Sequence, residues 1–201
     1  MTNHPTTGKT AKHPLAPKSP DKKAAQDQQR TISSTDTANP MTPDQTKDAP
    51  KAQVILAPSQ EPLKYTLRIF LAGTTTAPDW RDAVIASLSA HPLTIFNPFR
   101  RDWDSSWRED ETFAPFREQV QWELYAQEAS QVVVIYFGPD TDAPISLLEL
   151  GLAARAGKAL VVCHPRYRKR GNVQIVCRRH GITVMDSFDA LAETVMRKLN
   201  G

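Results

Sequence analysis

The sequence predicts an α/β domain, a doubly wound parallel sheet with helices on both faces, preceded by a disordered N-terminal tail. Three observations predict it. From residue 66 onward, short apolar runs alternate with segments of helical period. The runs QVVVIYF (131–137) and ALVVC (159–163) are almost wholly apolar, as strands covered on both faces of a parallel sheet are. The aromatic residues are also confined to one part of the chain: none precedes Tyr65, whereas nine of the 16 prolines lie in residues 1–62.

A segment so poor in apolar surface cannot offset its conformational entropy by burial, so residues 1–62 read as a disordered Pro/Thr/Lys-rich tail. VIL at 54–56 is its one apolar knot, able to dock on the domain. Residues 63–201 are then the domain, long enough for one compact core.

The elements follow in order. TLRIFLAG (66–73) is rich in strand formers and ends at Gly73. PDWRDAVIASLSA (78–90) spaces Trp80, Val84, Ile85 and Leu88 at helical intervals, with Pro78 suited to a helix start. PLTIF (92–96) is a second strand. The polar, Trp-rich stretch NPFRRDWDSSWREDE (97–111) is long for a loop in a compact domain, and long loops are often functional. Helical spacing returns in 113–129, with Phe116, Val120 and Leu124 on one face, and QVVVIYF follows as the third strand. ISLLELGLAARA (145–156) is a third helix, with Gly157 suited to its C-terminal cap. ALVVC is the fourth strand, 172–181 a short helix, ITVM (182–185) a fifth strand, and 186–200 a closing amphipathic helix capped by Asp186 or Ser187. Five strands with right-handed crossovers and short loops favour the flavodoxin-like order 2-1-3-4-5. Ligands of such sheets bind beyond the carboxyl ends of the strands, between the first and third. That selects the loops at 73–78, 97–112, 138–144 and 164–171.

Composition excludes several classes. Net charge is +3, and the first 60 residues hold eight Lys/Arg against five Asp/Glu, so the whole excess sits in the tail. The domain is near neutral and is not expected to bind a nucleic-acid polymer. No apolar run is long enough to span a membrane, and the N-terminus lacks a signal-peptide core. A cytosolic or nuclear protein is expected. Cys163 and Cys177 match no zinc or thioredoxin spacing and read as reduced thiols. No cofactor or metal is expected.

Glu149 stands out because leucines flank it in the third helix, at the edge of the expected crevice. Ionised groups are rarely buried without a partner. One reading is a capping box, Ser146-Leu147-Leu148-Glu149, closing the helix start. The other is chemical: an ionised carboxylate in a dry pocket can attack an electrophilic sugar carbon. Gly151 within the same helix points to a close backbone approach or to simple tolerance. Trp103 and Trp107 either stack on a planar base or bury area to hold their loop down. Arg100 and Arg101 suit a phosphate or a solvated surface. Thr74, Thr75 and Thr76, before a helix, suit an anion site or a helix cap. RYRKR (166–170) reads as a solvated basic knot, and His164 as structural.

The combination of IFLAG, NPFRRDW, QVQWEL, PISLLELG and GKALVVCHP resembles the nucleoside 2-deoxyribosyltransferase-like family, over about residues 66–182. The resemblance implies a flavodoxin-like fold and cleavage of the N-glycosidic bond of deoxynucleosides. It implies that Glu149, in the ELG motif, attacks the anomeric carbon, with retention through two displacements. Glu123 of QWEL matches a second acid that protonates or positions the base; the characterised transferases usually carry aspartate there. Phe70 stands where the family commonly has a tyrosine, and cannot donate a hydrogen bond. Asp142, beside Ala143, is placed to hold a sugar hydroxyl, or else PDTD is only a turn. Gly73, Thr74, Asn97, Arg100, Arg101 and Trp103 complete the substrate-binding set. A homo-oligomer is implied. Three functions compete: glycosyl transfer from a deoxynucleoside to a base or water, N-glycohydrolysis of a nucleotide, and a non-catalytic nucleotide-binding module.

Overall fold

The computed structural model describes residues 51–75 and 79–201. Of the expected tail, residues 1–50 lie outside the described residues, as do Thr76 and the helix-starting Pro78.

The elements are β1 (Gln53–Leu56), β2 (Arg68–Gly73), α1 (Trp80–Leu88), β3 (Thr94–Asn97), α2 (Ala114–Ala129), β4 (Val132–Phe137), α3 (Pro144–Arg155), β5 (Ala159–Cys163), α4 (Arg170–Arg179), β6 (Val184–Met185) and α5 (Leu191–Asn200). All strand pairs are parallel, in the order β1-β3-β2-β4-β5-β6. The strand period of two sends alternate side chains to opposite faces. Ile69, Leu71, Val132, Val134, Leu160 and Val162 meet α1 and α5 on one face. Phe70, Ala72, Val133, Ile135, Val161 and Cys163 meet α2, α3 and α4 on the other. Every residue of β4 and β5 is buried, as the unbroken apolar runs require.

The five expected strands keep their expected order, but the sheet has a sixth. β1 arises within the segment read as tail, from the apolar knot at 54–56, and pairs along β3 from Gln53↔Thr94 to Leu56↔Asn97. Its neighbours explain why a short polar-flanked run holds a strand. Ile55 is buried among Phe96 and Trp122. The Gln53 amide donates to Pro62 O (2.9 Å) and accepts from Lys64 N (2.8 Å) and Thr94 Oγ1 (3.0 Å). Trp122 Nε1 donates to Ser59 O (2.8 Å). The contacts to Thr94, Phe96 and Trp122 join residues 41 to 67 apart in sequence, so local pattern could not show them.

Two helix starts also differ from expectation. α5 begins at Leu191 without a side-chain cap. Asp186 instead accepts from Arg170 (2.6 Å), and Ser187 Oγ bonds Asp189 (2.8 Å). α4 begins two residues early, so Arg170 of the basic knot is helical.

At the end of β2, Gly73 has φ +125°, and a Cβ there would lie 2.4 Å from Tyr136 O. Only glycine allows β2 and β4 to close up at this point. Thr74 locks the same junction: its N–H donates to Tyr136 O (2.9 Å), and its Oγ1 accepts from Gly138 N (3.1 Å).

Because β1 is part of the sheet, Ile55→Ala should lower unfolding free energy by about 2–4 kcal/mol, as other buried isoleucine truncations do. Urea denaturation of the full chain measures it; an unchanged midpoint would mean that β1 adds nothing to stability.

Candidate active site

The strand order reverses between β2 and β4, the switch point of a doubly wound sheet, and a crevice opens beyond the carboxyl ends of the two strands. It has a volume of about 310 Å³. Gly73 and Ala72 form its floor, α1 contributes Arg81, α2 Gln119 and Glu123, α3 Ile145, Ser146 and Glu149, and the loop after β3 Phe99, Arg100 and Trp103. A larger groove of about 740 Å³ lies on the far side of α2, against the 58–63 segment. It contains neither Glu123 nor Glu149.

Glu149 is 7% exposed. α3 starts at Pro144, and its cap, Ala143 in the left-handed conformation, offers no side-chain bond. Glu149 is thus the sixth residue of the helix, too far along to close a capping box. Its hydrogen bond among the described residues comes from Gln127 Nε2 of α2, 3.2 Å from Oε1. Glu123 is held from the same helix: Gln119 Nε2 donates to Glu123 Oε1 (2.8 Å) and to Pro98 O (2.9 Å). Residues 119, 123 and 127 share one face of α2 at a spacing of four. A Gln–Glu–Gln stripe therefore carries one acid of the pair and steadies the other. Gln119 is 4% exposed, and its Oε1 has no partner among the described residues.

Burial raises both carboxyls above the usual range. For Glu149 the cause is first burial, then the charge of Glu123; Arg81 opposes both, and the result is about 8. For Glu123 burial raises it, while the Gln119 bond and Arg81 lower it. Two carboxyls in one dry cleft cannot readily both be charged.

Several expected contacts lie elsewhere. Phe70 is fully buried and packs against Trp122, ring centres 6.5 Å apart. Thr74 is taken up by the β2–β4 junction. Asn97 Oδ1 accepts from Phe99 N (3.0 Å), shaping the loop rather than facing the cleft. Arg101 is exposed on a turn. Asp142 pairs with Arg168 (3.5 Å) and Lys169 (3.4 Å), and its carbonyl accepts from Tyr167 Oη (2.8 Å). It ties two loops together and does not line the cleft. Arg100 does line it, but its guanidinium is taken by Asp102 (2.9 Å), Glu118 (2.8 Å) and Pro115 O (3.3 Å), under the Trp107 ring at 5.0 Å.

Glu149, Glu123, Gly73, Thr75, Arg100 and Trp103 are the sequence-selected residues that the cleft brings together. Sequence reading missed Arg81, Gln119, Gln127 and Phe99. The glutamines were findable from their spacing of four around Glu123.

Comparison with known proteins adds to this geometry. A model of the family described as nucleoside 2-deoxyribosyltransferase like matches residues 66–167, from just before β2 to just after β5. The chain belongs to this family. The match encloses Glu123 and Glu149 and every side chain of the cleft. Among solved structures, a conserved protein from Enterococcus faecalis V583 is similar, at 15% identity and a TM-score of 0.47, over 66% of this chain and 99% of that one. No curated protein matches the sequence. Membership of a nucleoside 2-deoxyribosyltransferase-like family supports a role in glycosyl transfer on nucleosides. No helix among the described residues is long and apolar enough to cross a membrane.

The raised Glu149 value makes stability depend on pH. The folded protein keeps this proton up to about pH 8, whereas the unfolded chain releases it near the ordinary 4.5. Folded protein therefore binds more protons between those values, and stability falls as pH rises through that window. Glu149→Gln should match the wild type near pH 4.5 and exceed it at pH 9 by roughly 1–4 kcal/mol. Urea titrations at both pH values check this; a constant difference between the proteins would contradict the buried proton.

Proposed function

We propose that this protein cleaves the N-glycosidic bond of a deoxynucleoside through a covalent glycosyl–Glu149 intermediate and passes the 2-deoxyribosyl group to a second base or to water. The observation that carries this reading is the pair of carboxyls, buried Glu149 and half-buried Glu123, lining one cleft at the sheet's switch point. Up to about pH 8 the pair holds one proton, which rests on Glu149; in the reactive form that proton passes to Glu123 and the negative charge to Glu149. A Glu149 oxygen bonds to the anomeric carbon as the carbon–nitrogen bond breaks. The bond's electron pair leaves with the base, which takes the proton from Glu123. Water or another base then attacks the same carbon, the ester bond to Glu149 breaks, and Glu123 recovers a proton from the acceptor. Two displacements at one carbon retain configuration. At the mouth, Phe99 and Trp103 are 51% and 45% exposed and offer faces on which a base can stack. The nucleotide reading leaned on Arg100, Arg101 and the threonine loop; the Arg100 guanidinium is already occupied, Arg101 is exposed on a turn and Thr74 is bonded at the β2–β4 junction, so the nucleoside reading is preferred.

The family's oligomeric habit is part of the proposal. α3 exposes Ile145, Leu148 and Leu152 at 61%, 62% and 52%, a stripe at helical spacing that continues into the cleft wall at Ile145. A second copy packed on this stripe would cover it and close the cleft. Leu148→Glu should then convert an oligomer to a monomer in light scattering behind size exclusion; a wild-type protein that is already monomeric at tens of micromolar refutes the assembly.

Incubation with a deoxynucleoside and a free acceptor base, followed by chromatography, tests the chemistry. Glu149→Gln should lose at least about a thousandfold in kcat, since a covalent nucleophile is removed. Glu123→Gln should lose about 10²-fold, the scale of general acid catalysis. The kcat/KM profile should be a bell whose alkaline side falls near pH 8, where the pair gives up its second proton. Glu123→Gln should abolish that fall. Unchanged turnover in Glu149→Gln would remove Glu149 as nucleophile, and rate rising steadily beyond pH 9 would rule out an acid role for Glu123.

A further inference from the structure

Arg81 is misplaced by every structural rule that applies to it. It sits in the first turn of α1, where the helix presents its positive end and favours anions. It is 5% exposed, and arginine is almost never so buried without full pairing. One carboxylate contacts it: Asp79 Oδ1, 3.0 Å from Nη1. Asp79 is itself 24% exposed and caps the helix through Arg81 N (3.0 Å). The remaining bonds go to main-chain carbonyls at the end of β2, Nη2 to Gly73 O (3.1 Å) and Nε, at 3.5 Å, to Leu71 O. Three of five N–H groups are thereby directed, and the side chain also lies over the Trp80 ring at 4.9 Å. The guanidinium is pinned, in the wall of the cleft that holds Glu123 and Glu149.

We propose that Arg81 is the positioning residue of the carboxyl pair: a fixed positive charge, held by the β2 carbonyls, against which the cleft carries its one negative charge. The inference deepens the glycosyl-transfer reading and rests on it for its purpose, though not for its test. The surroundings single out Arg81. From α2 the pair meets the neutral amides of Gln119 and Gln127. From α3 it meets Ser146. The loop after β3 supplies Phe99, Trp103 and Arg100, and Arg100 is neutralised by Asp102 and Glu118. Arg81 is the cation whose charge opposes the upward push on both carboxyls. Asp79 lines the same cleft and is bound to Arg81. A pinned charge costs no reorganisation when the negative charge shifts between the carboxyls and the leaving base, which is what electrostatic preorganisation requires. Lysine and arginine carry the same charge, so the charge and the anchoring can be separated by mutation.

The test reads ionisation directly, without substrate. Full-length protein labelled at the glutamate side-chain carboxyl carbon is titrated by NMR, with Glu149→Gln and Glu123→Gln assigning the two signals. Arg81→Gln should move the Glu149 titration to higher pH by about one pH unit, the order expected for losing one charge a few ångströms beyond contact. Arg81→Lys should leave it within a few tenths of the wild type. Asp79→Asn, which keeps a helix-capping side chain but frees the guanidinium of its counter-charge, should move it to lower pH. If Arg81→Gln does not fold, the Asp79→Asn and Arg81→Lys titrations decide the matter. Titrations unmoved in Asp79→Asn and in any folded Arg81→Gln would reduce Arg81 to an anchor of α1 and overturn the proposal. A moved titration in a protein that releases no base from any deoxynucleoside would keep the electrostatic inference and sink the glycosyl-transfer reading instead.

Discussion

Two carboxyls enclosed in one cleft must divide their charge, and the rest of the site follows from that constraint. In water Glu123 and Glu149 would both ionise. Beside Trp103 and Phe99, burial of both carboxyls and the charge of Glu123 acting on Glu149 leave room for one negative charge and one proton. A pair in that condition is what displacement at a sugar carbon uses: one oxygen nucleophile and one proton donor side by side. The same condition destabilises the fold above neutral pH, so the helices that carry the pair must be held by something other than the pair itself.

The sheet provides that hold. α2 and α3 press on its one face through Trp122, Ala126, Leu150, Ala153 and Ala154, and each carboxyl projects into the cleft from the middle turns of its helix. The close approach of β2 and β4 at Gly73 is the hinge of the arrangement: with any Cβ there, the strands would part and the cleft floor with them. β1 contributes from outside. By pairing with β3 and receiving the Trp122 indole through Ser59, it fixes the outer side of α2, the helix whose inner side presents Gln119, Glu123 and Gln127.

What could be read from the sequence was what is encoded locally. Unbroken runs such as VVVIYF and alternating helical periods gave the strand order, and Glu149 between two leucines marked a carboxyl in an apolar wall, because both are visible within a dozen residues. β1 was not legible as a strand, since its reasons to exist, Phe96, Thr94 and Trp122, lie 40 to 70 residues away. Asp142 and Asn97 looked like ligands because polar residues in the expected loops are the natural candidates; each is instead spent on another loop or on its own turn. Arg81 escaped notice for the opposite reason. In DAVIASL-type helix patterning an arginine beside a tryptophan reads as solvated surface, and although the β2 carbonyls that draw it inward lie only eight and ten residues back, helical period does not show a bond from a helix to the strand before it.

The Trp-rich loop shows how a residue can serve a site without meeting its ligand. Arg100 engages Asp102 and Glu118 and lies beneath Trp107. Trp107 in turn packs edge-on against Phe113 at the start of α2 (5.8 Å) and against Trp103 (5.1 Å). An exposed indole at a cleft mouth would by itself rotate freely and lose entropy on binding a base. Backed by Trp107, and through it by Arg100 and Phe113, Trp103 meets the mouth as a surface already set in place. The loop's length thus reflects the number of side chains needed to brace one aromatic face, and its arginine acts on the site through that brace.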